Sequence, residues 1–148
     1  MPVNPALEGR TLPPIGPYLV GREKVREFAR AVQSRSPLSI DADAASAAGY
    51  EGLLAPPTFA IVVQEAALQQ LLAEPDTGID FARVVHGDQR FGFVRPVVAG
   101  DELLAHLSVT SIKTLAGNSM VTAETAITDL DGELVVTAVS TLVVRAEQ

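Results

Sequence analysis

Hydrophobic spacing changes period along this chain, helical in the first half and alternating in the second. In GREKVREFARAVQSR, opened by Gly21, the residues Val25, Phe28, Ala29 and Val32 recur at i, i+3, i+4 and i+7. That spacing predicts a surface helix with one buried stripe, ended by Pro37 because the residue before a proline is driven out of the α region. A short helix follows in DADAASAAG, with Asp41 or Asp43 as its cap and Gly49 at the left-handed C-terminal position. LLAPPTFAIVVQEAALQQLLAEP reads as one long helix, with Pro57 in its first turn and Pro75 as its stop. Phe59, Ile61, Val62, Val63, Ala66, Ala67, Leu68, Leu71 and Leu72 point nearly all round its axis, so protein should surround it. Gln64, Glu65, Gln69 and Gln70 are its expected wet or partner-facing positions.

Beyond that helix the pattern becomes that of strands. FARVVHGDQRFGFVRPV is β-branched and aromatic-rich. ELLAHLSVTSI alternates with Leu103, Ala105, Leu107 and Val109 on one face. MVTAETAIT sets Val121, Ala123 and Ile127 against Thr122, Glu124 and Thr128, and ELVVTAVSTLVVR is a long final strand. Asp131-Gly132 signals a tight hairpin and Ala116-Gly117-Asn118 a looser one. Four antiparallel strands after one largely apolar helix give an α+β fold, a sheet curled around a central helix. Residues 1–20, with Pro2, Pro5, Pro13, Pro14 and Pro17, should form an extended arm on the surface. At 148 residues, without repeat or linker, the whole chain reads as a single domain.

Composition narrows the chemistry. The chain has no cysteine, which excludes disulfides, thiolate metal sites and a cysteine nucleophile. A net charge of −7 argues against nucleic acid as a partner. Residues 1–35 carry six basic and three acidic side chains, whereas the remainder carries five and fifteen. The N-terminal quarter is therefore a basic patch on an acidic body. No apolar run approaches the ~18 residues of a membrane span, and no basic stretch leads into an apolar one, so the sequence reads as soluble and cytoplasmic.

Acid–base work near neutral pH most often uses histidine, and the chain has two. His106 lies on an alternating strand, opposite Leu103, Ala105 and Leu107, and reads as a residue of the exposed sheet face. His86 stands in VVHGDQ, where Gly87 lets the backbone approach something closely. A functional group and a histidine bonded to the backbone remain equally open for it. The two histidines lack metal-site spacing, and no phosphate-loop, dinucleotide or serine-hydrolase motif is present, so neither metal nor cofactor is expected. Arg22, Arg26 and Arg30 share one helix face. They suit an acidic carrier protein or coenzyme phosphates, or they form a solvated face balanced by Glu23 and Glu27. Asp88, Asp101 and Asp129 form no carboxylate pair and read as surface or turn residues.

Two stretches, PLSIDADAASAAGYEGLLAPPTFA (37–60) and HGDQRFGFVRPVVAGDEL (86–103), resemble the MaoC-like family of hot dog folds. The similarity is to acyl-channel subunits of (3R)-hydroxyacyl-thioester dehydratases and to the N-terminal half of two-domain enoyl hydratase 2. That half carries His-Gly-Glu-Gln, Arg/Lys-Pro and Ala-Gly-Asp; here they read His86-Gly87-Asp88-Gln89, Arg95-Pro96 and Ala99-Gly100-Asp101. Laid onto residues 28–39, the family's catalytic signature puts Ser34 at its Asp position, Ser36 at its Asn position and Ser39 at its His position. The resemblance therefore implies a non-catalytic subunit whose long helix lines an acyl tunnel, with Pro57, Phe59, Val62, Val63, His86 and Gly87 as contact residues. Its partner would be a catalytic MaoC-like chain, forming a double hot dog, or a second copy of itself. The substrate would be an acyl-coenzyme A or acyl-carrier-protein thioester. The alternatives are a self-sufficient homodimeric hydratase or thioesterase using His86 with Asp88 or a residue across the interface, and an acyl-thioester binding module without catalysis.

Overall fold

The runs with strand alternation pair into one antiparallel sheet, and the longest helix lies across its inner face. A computed structural model describes residues 2–148. Strand β1 (Ile15–Leu19) is followed by helices α1 (Arg22–Ala31), α2 (Ala42–Ala47) and α3 (Ala60–Ala73). Strands β2 (Val84–Phe93), β3 (Glu102–Leu115), β4 (Asn118–Thr128) and β5 (Leu134–Val144) complete the chain, in the order β1-β3-β4-β5-β2. This is the α+β arrangement that the pattern predicts and the hot dog fold that the resemblance implies.

Register follows the alternation. Leu103, Ala105, Leu107 and Val109 of β3 are buried on the inner face, beside Val121, Ala123 and Ile127 of β4 and Val136, Ala138 and Leu142 of β5. Ala60, Val63, Ala67, Leu68 and Leu71 of α3 pack onto them. The helix is covered on this side alone. Ile61, Val62 and Leu72 are only half-buried and Ala66 is exposed, so the protomer does not surround α3 as its composition implied.

Three local expectations change. The proline-rich N-terminus is structural: Val3, Leu7, Leu12 and Val20 are buried, and Ile15–Leu19 forms an edge strand on β3. Prolines are tolerated there because an edge strand has donors to spare. Helix α1 stops at Ala31, well before Pro37, because Gln33 adopts φ +57°. The amides of Gln33 and Ser34 then return to the carbonyls of Arg30 (3.1 Å) and Ala29 (2.8 Å), the closing motif of a left-handed cap. Val32 is thereby left on the surface rather than in the buried stripe. The two hairpins exchange roles. Ala116-Gly117 makes the two-residue turn, both residues at positive φ, whereas Asp131-Gly132 sits in a longer loop capped by Asp129 Oδ1.

If the N-terminal segment is part of the core, Leu7→Ala and Leu12→Ala should each cost about 2–4 kcal/mol in urea denaturation. A surface arm would change stability by less than about 0.5 kcal/mol.

Candidate functional site

The serines that the resemblance lays onto the catalytic signature sit in the segment after α1. Ser34 closes the C-terminus of α1 through its backbone, and its hydroxyl makes no hydrogen bond among the described residues. Ser36 Oγ accepts from the amide of Leu38 (3.3 Å) at the start of a short 3-10 turn. Ser39 is 2% exposed and donates its hydroxyl to the Leu54 carbonyl at 2.6 Å, while the Leu54 amide returns to Leu38 O at 2.9 Å. A serine hydroxyl so engaged, with no base bonded to it, has little capacity for proton transfer.

The polar chemistry lies instead beneath β2. Gln64, expected to be a wet position, is fully buried on the sheet-facing side of α3. Its Nε2 donates to Thr125 Oγ1 of β4 (3.2 Å) and to the Ala138 carbonyl of β5 (3.1 Å). Its Oε1 accepts from Gln89 Nε2 of β2 (3.0 Å) and from Ser140 Oγ of β5 (3.0 Å). Ser140 Oγ also contacts Gln89 Oε1, and His86 Nε2 lies 3.0 Å from that same oxygen. The result is one connected set of side chains from α3 through β5 to His86. The sequence does carry its signal: Gln64 falls within the i, i+3, i+4 stripe of Ala60, Val63, Ala67, Leu68 and Leu71, and inward strand positions hold Thr125, Ser140 and Gln89.

His86 and Asp88 do not come together. A bulge at Gly87 separates them, and Asp88 pairs with Arg90 at 3.8 Å. Gly87 is explained by β5, since a Cβ there would meet Val143 Cγ2 at 3.0 Å. His106 is half-buried and bonds Thr128 Oγ1 at 3.0 Å.

Two cavities hold some of the expected contact residues. One of about 190 Å³ is walled by Leu68, Leu72, Phe81, Val84, His86 and Leu142, with Glu65 and Gln69 at α3. The other, about 330 Å³, runs between Pro57 and the Phe93–Val97 segment. Phe59 is in the core, its ring edge-on to Phe28 at 5.3 Å, and Val63 is buried beside it. Val62 stands on the uncovered flank of α3. These six residues therefore do not line one common cavity within a single protomer.

Asp101, read from the sequence as a surface or turn residue, forms a two-pronged ion pair with Arg95 at 2.9 and 3.2 Å. Asp101 Oδ2 also accepts the Val98 amide at 2.9 Å, and its hydrogen bond raises the Arg95 pKa above the ordinary value. Together they shape the turn that walls the larger cavity. On α1, Arg26 is occupied by the Ile40 carbonyl (2.9 Å) and by Glu23, whereas Arg22 and Arg30 extend into solvent. Among the described residues no helix is long and apolar enough to cross a membrane.

With this geometry in view, the similarities are specific. The family described as FAS1-like, dehydratase domain region matches residues 6–138. A UPF0336 protein of Leifsonia xyli subsp. xyli is 64% identical over 148 residues, covering 100% of this chain and 99% of its own length. A chain of the C-terminally truncated HadBC (3R-hydroxyacyl-ACP dehydratase) complex of Mycobacterium tuberculosis superposes with a TM-score of 0.82 at 36% identity, covering 93% of this chain and 96% of that one. A MaoC-like dehydratase gives a TM-score of 0.78 at 38% identity, with 95% of this chain matching 43% of that longer one.

Replacing Gln64 by leucine, apolar and similar in size, should cost about 2–4 kcal/mol in urea denaturation, because Gln89 and Ser140 lose their buried partner. Gln69→Leu on the exposed side of the same helix is expected to change stability by less than about 0.5 kcal/mol.

Proposed function

Since the chain belongs to the MaoC-like hot dog dehydratase family, we propose that it is the non-catalytic, acyl-chain-binding subunit of an (R)-specific 3-hydroxyacyl-thioester dehydratase or enoyl-thioester hydratase. It would work in fatty-acid-type metabolism in the cytoplasm. The observation that carries this reading is the state of the catalytic positions. Reversible dehydration needs a base for the α-proton and an acid for the departing hydroxyl. Here Ser34 and Ser39 stand in those places, and the Ser39 hydroxyl is buried and engaged with a backbone carbonyl. A second hot dog chain would supply the acid–base pair. The HadBC structure is that of a complex, which supports such an arrangement.

The place of that partner follows from the sheet edges. Strand β1 is short and bordered by Pro13, Pro14 and Pro17, which block edge pairing. Strand β2 is ten residues long without a proline, and no strand lies beyond it among the described residues. Phe81 (70% exposed), Val85, Phe93 and Val94 (67%) flank it with apolar surface. A partner sheet joined at β2 would also cover the open flank of α3, including Val62, Leu72 and Ala66. The cavity at His86 and the groove at Pro57 both border this edge, so the second chain would complete them. An apolar channel there favours an alkyl chain by ~0.8 kcal/mol for each CH₂ buried. Arg22 and Arg30 are the cations left to meet the phosphates or acidic surface of the carrier.

The solo reading, in which His86 and Asp88 share the acid–base work, fits less well. His86 bonds a neutral amide and Asp88 faces Arg90.

Hydration of medium- and long-chain trans-2-enoyl thioesters tests the proposal. The chain alone should give background turnover, and mixing it with a MaoC-like chain that retains Asp and His should raise the rate about 10²–10⁴-fold. Robust turnover by the chain alone would overturn the non-catalytic assignment. For the edge, Val85→Lys should shift the dimer toward monomer by light scattering, while Leu19→Lys on β1 leaves assembly unchanged. The opposite pattern would exclude β2 as the pairing edge.

A further inference from the structure

We infer that two side-chain amides, anchored on one backbone carbonyl, fix the tautomer of His86 and make its ring a hydrogen-bond acceptor for a donor-bearing apolar ligand in the adjoining cavity. The order begins at Ala138. Its carbonyl only accepts, so the Gln64 group 3.1 Å away is the NH₂, and Gln64 Oε1 is turned toward β2. That oxygen also only accepts, so the Gln89 group 3.0 Å from it is again the NH₂. Gln89 Oε1 is thereby turned toward Ser140 Oγ and His86. An amide oxygen 3.0 Å from an imidazole nitrogen requires that nitrogen to carry the hydrogen. Neutral His86 is then the Nε2–H form, and Nδ1 holds a free lone pair. Flipping either amide would set oxygen against oxygen around the buried Gln64, where an unmet polar group is expensive.

His86 is exposed on β2, where it borders a cavity. Nδ1 has no hydrogen-bond partner among the described residues. His86 forms one wall of the cavity whose other walls include Leu68, Leu72, Phe81, Val84 and Leu142. At about 190 Å³ the space is smaller than the roughly 300 Å³ at which complete ligand sites begin, and it opens beside the free β2 edge, where a second sheet would enlarge it. Largely apolar walls, with the His86 acceptor on β2 and Glu65 and Gln69 on α3, favour an apolar chain carrying a hydrogen-bond donor, such as a hydroxyl, over the same chain without one. The choice of ligand rests on the acyl-chain reading above; the tautomer does not. Gln64 and Gln89 are positioning residues that act through His86.

Nitrogen-15 NMR of the uniformly labelled full chain at about pH 8, above the ordinary histidine range, reads the tautomer directly. His106→Gln provides the assignment. His86 should show a protonated Nε2 and an unprotonated Nδ1; an Nδ1–H form or an even mixture would overturn the inference. Titration with 1-octanol should move the Nδ1 signal and give binding roughly two- to tenfold tighter than 1-methoxyoctane, which has no donor. Equal binding of the two by the wild-type chain would remove the acceptor role. In His86→Phe the preference should vanish, and its persistence there would place the acceptor elsewhere. Gln89→Leu, which removes the acceptor, should raise the share of the Nδ1–H form, whereas an unchanged tautomer would show that the amides do not control it. Turnover in the mixed assay without octanol preference would sink this inference and leave the proposed function standing. The reverse result would do the opposite.

Discussion

A glutamine side chain placed at the centre of an apolar core constrains everything around it. Gln64 is fully buried, and burying its amide is tolerable only with partners for both ends. Those partners come from three strands: Thr125 of β4, Ala138 and Ser140 of β5, and Gln89 of β2. Hydrophobic packing alone would let α3 slide or rotate on the sheet at modest cost. The amide bonds permit one register, and they tie the edge strand β2 to the helix rather than to β5 alone. Edge position and His86 orientation both follow from that tie.

The serines that the resemblance lays onto the catalytic signature do backbone work in this structure. Ser34, Ser36 and Ser39 now finish a helix, cap a turn and hold the Leu54 segment. The Ser36 and Ser39 hydroxyls engage backbone groups, and Ser34 acts through its amide alone. What remains is a scaffold with an apolar edge, a half-covered helix and two cavities beside it. Such features are costly on a solitary protein and natural on one half of a pair. The division of labour proposed above would account for both the absent acid–base pair and the unfinished surface.

Much of this was legible in the residues, and the failures have physical causes. Alternation locates β3 and β4, because the inner face of each is buried against the core, whereas β2 and β5 are legible from their β-branched and aromatic content. The α1 boundary was misplaced because a left-handed Gln33 closes the helix without glycine, so composition gave no warning. The N-terminal arm was taken as surface because proline dominates it, while Leu7 and Leu12 between the prolines carry the burial. Gln64 was read as wet by residue type although its position lay within the buried stripe. Arg95 and Asp101 stand six residues apart across a turn, a separation no helix or strand period would flag. Phe59 and Val63, which the resemblance places on the channel, pack the core within the protomer.

The central claim is that this chain holds the acyl tail while another performs the chemistry. Photo-crosslinking in the mixed complex tests it most directly, using an enoyl thioester with a photoreactive group at the far end of its alkyl chain. The label should fall on this chain, in the α3 segment containing Leu68 and Leu72 or on strand β2 near His86. Label confined to the partner chain would contradict the account.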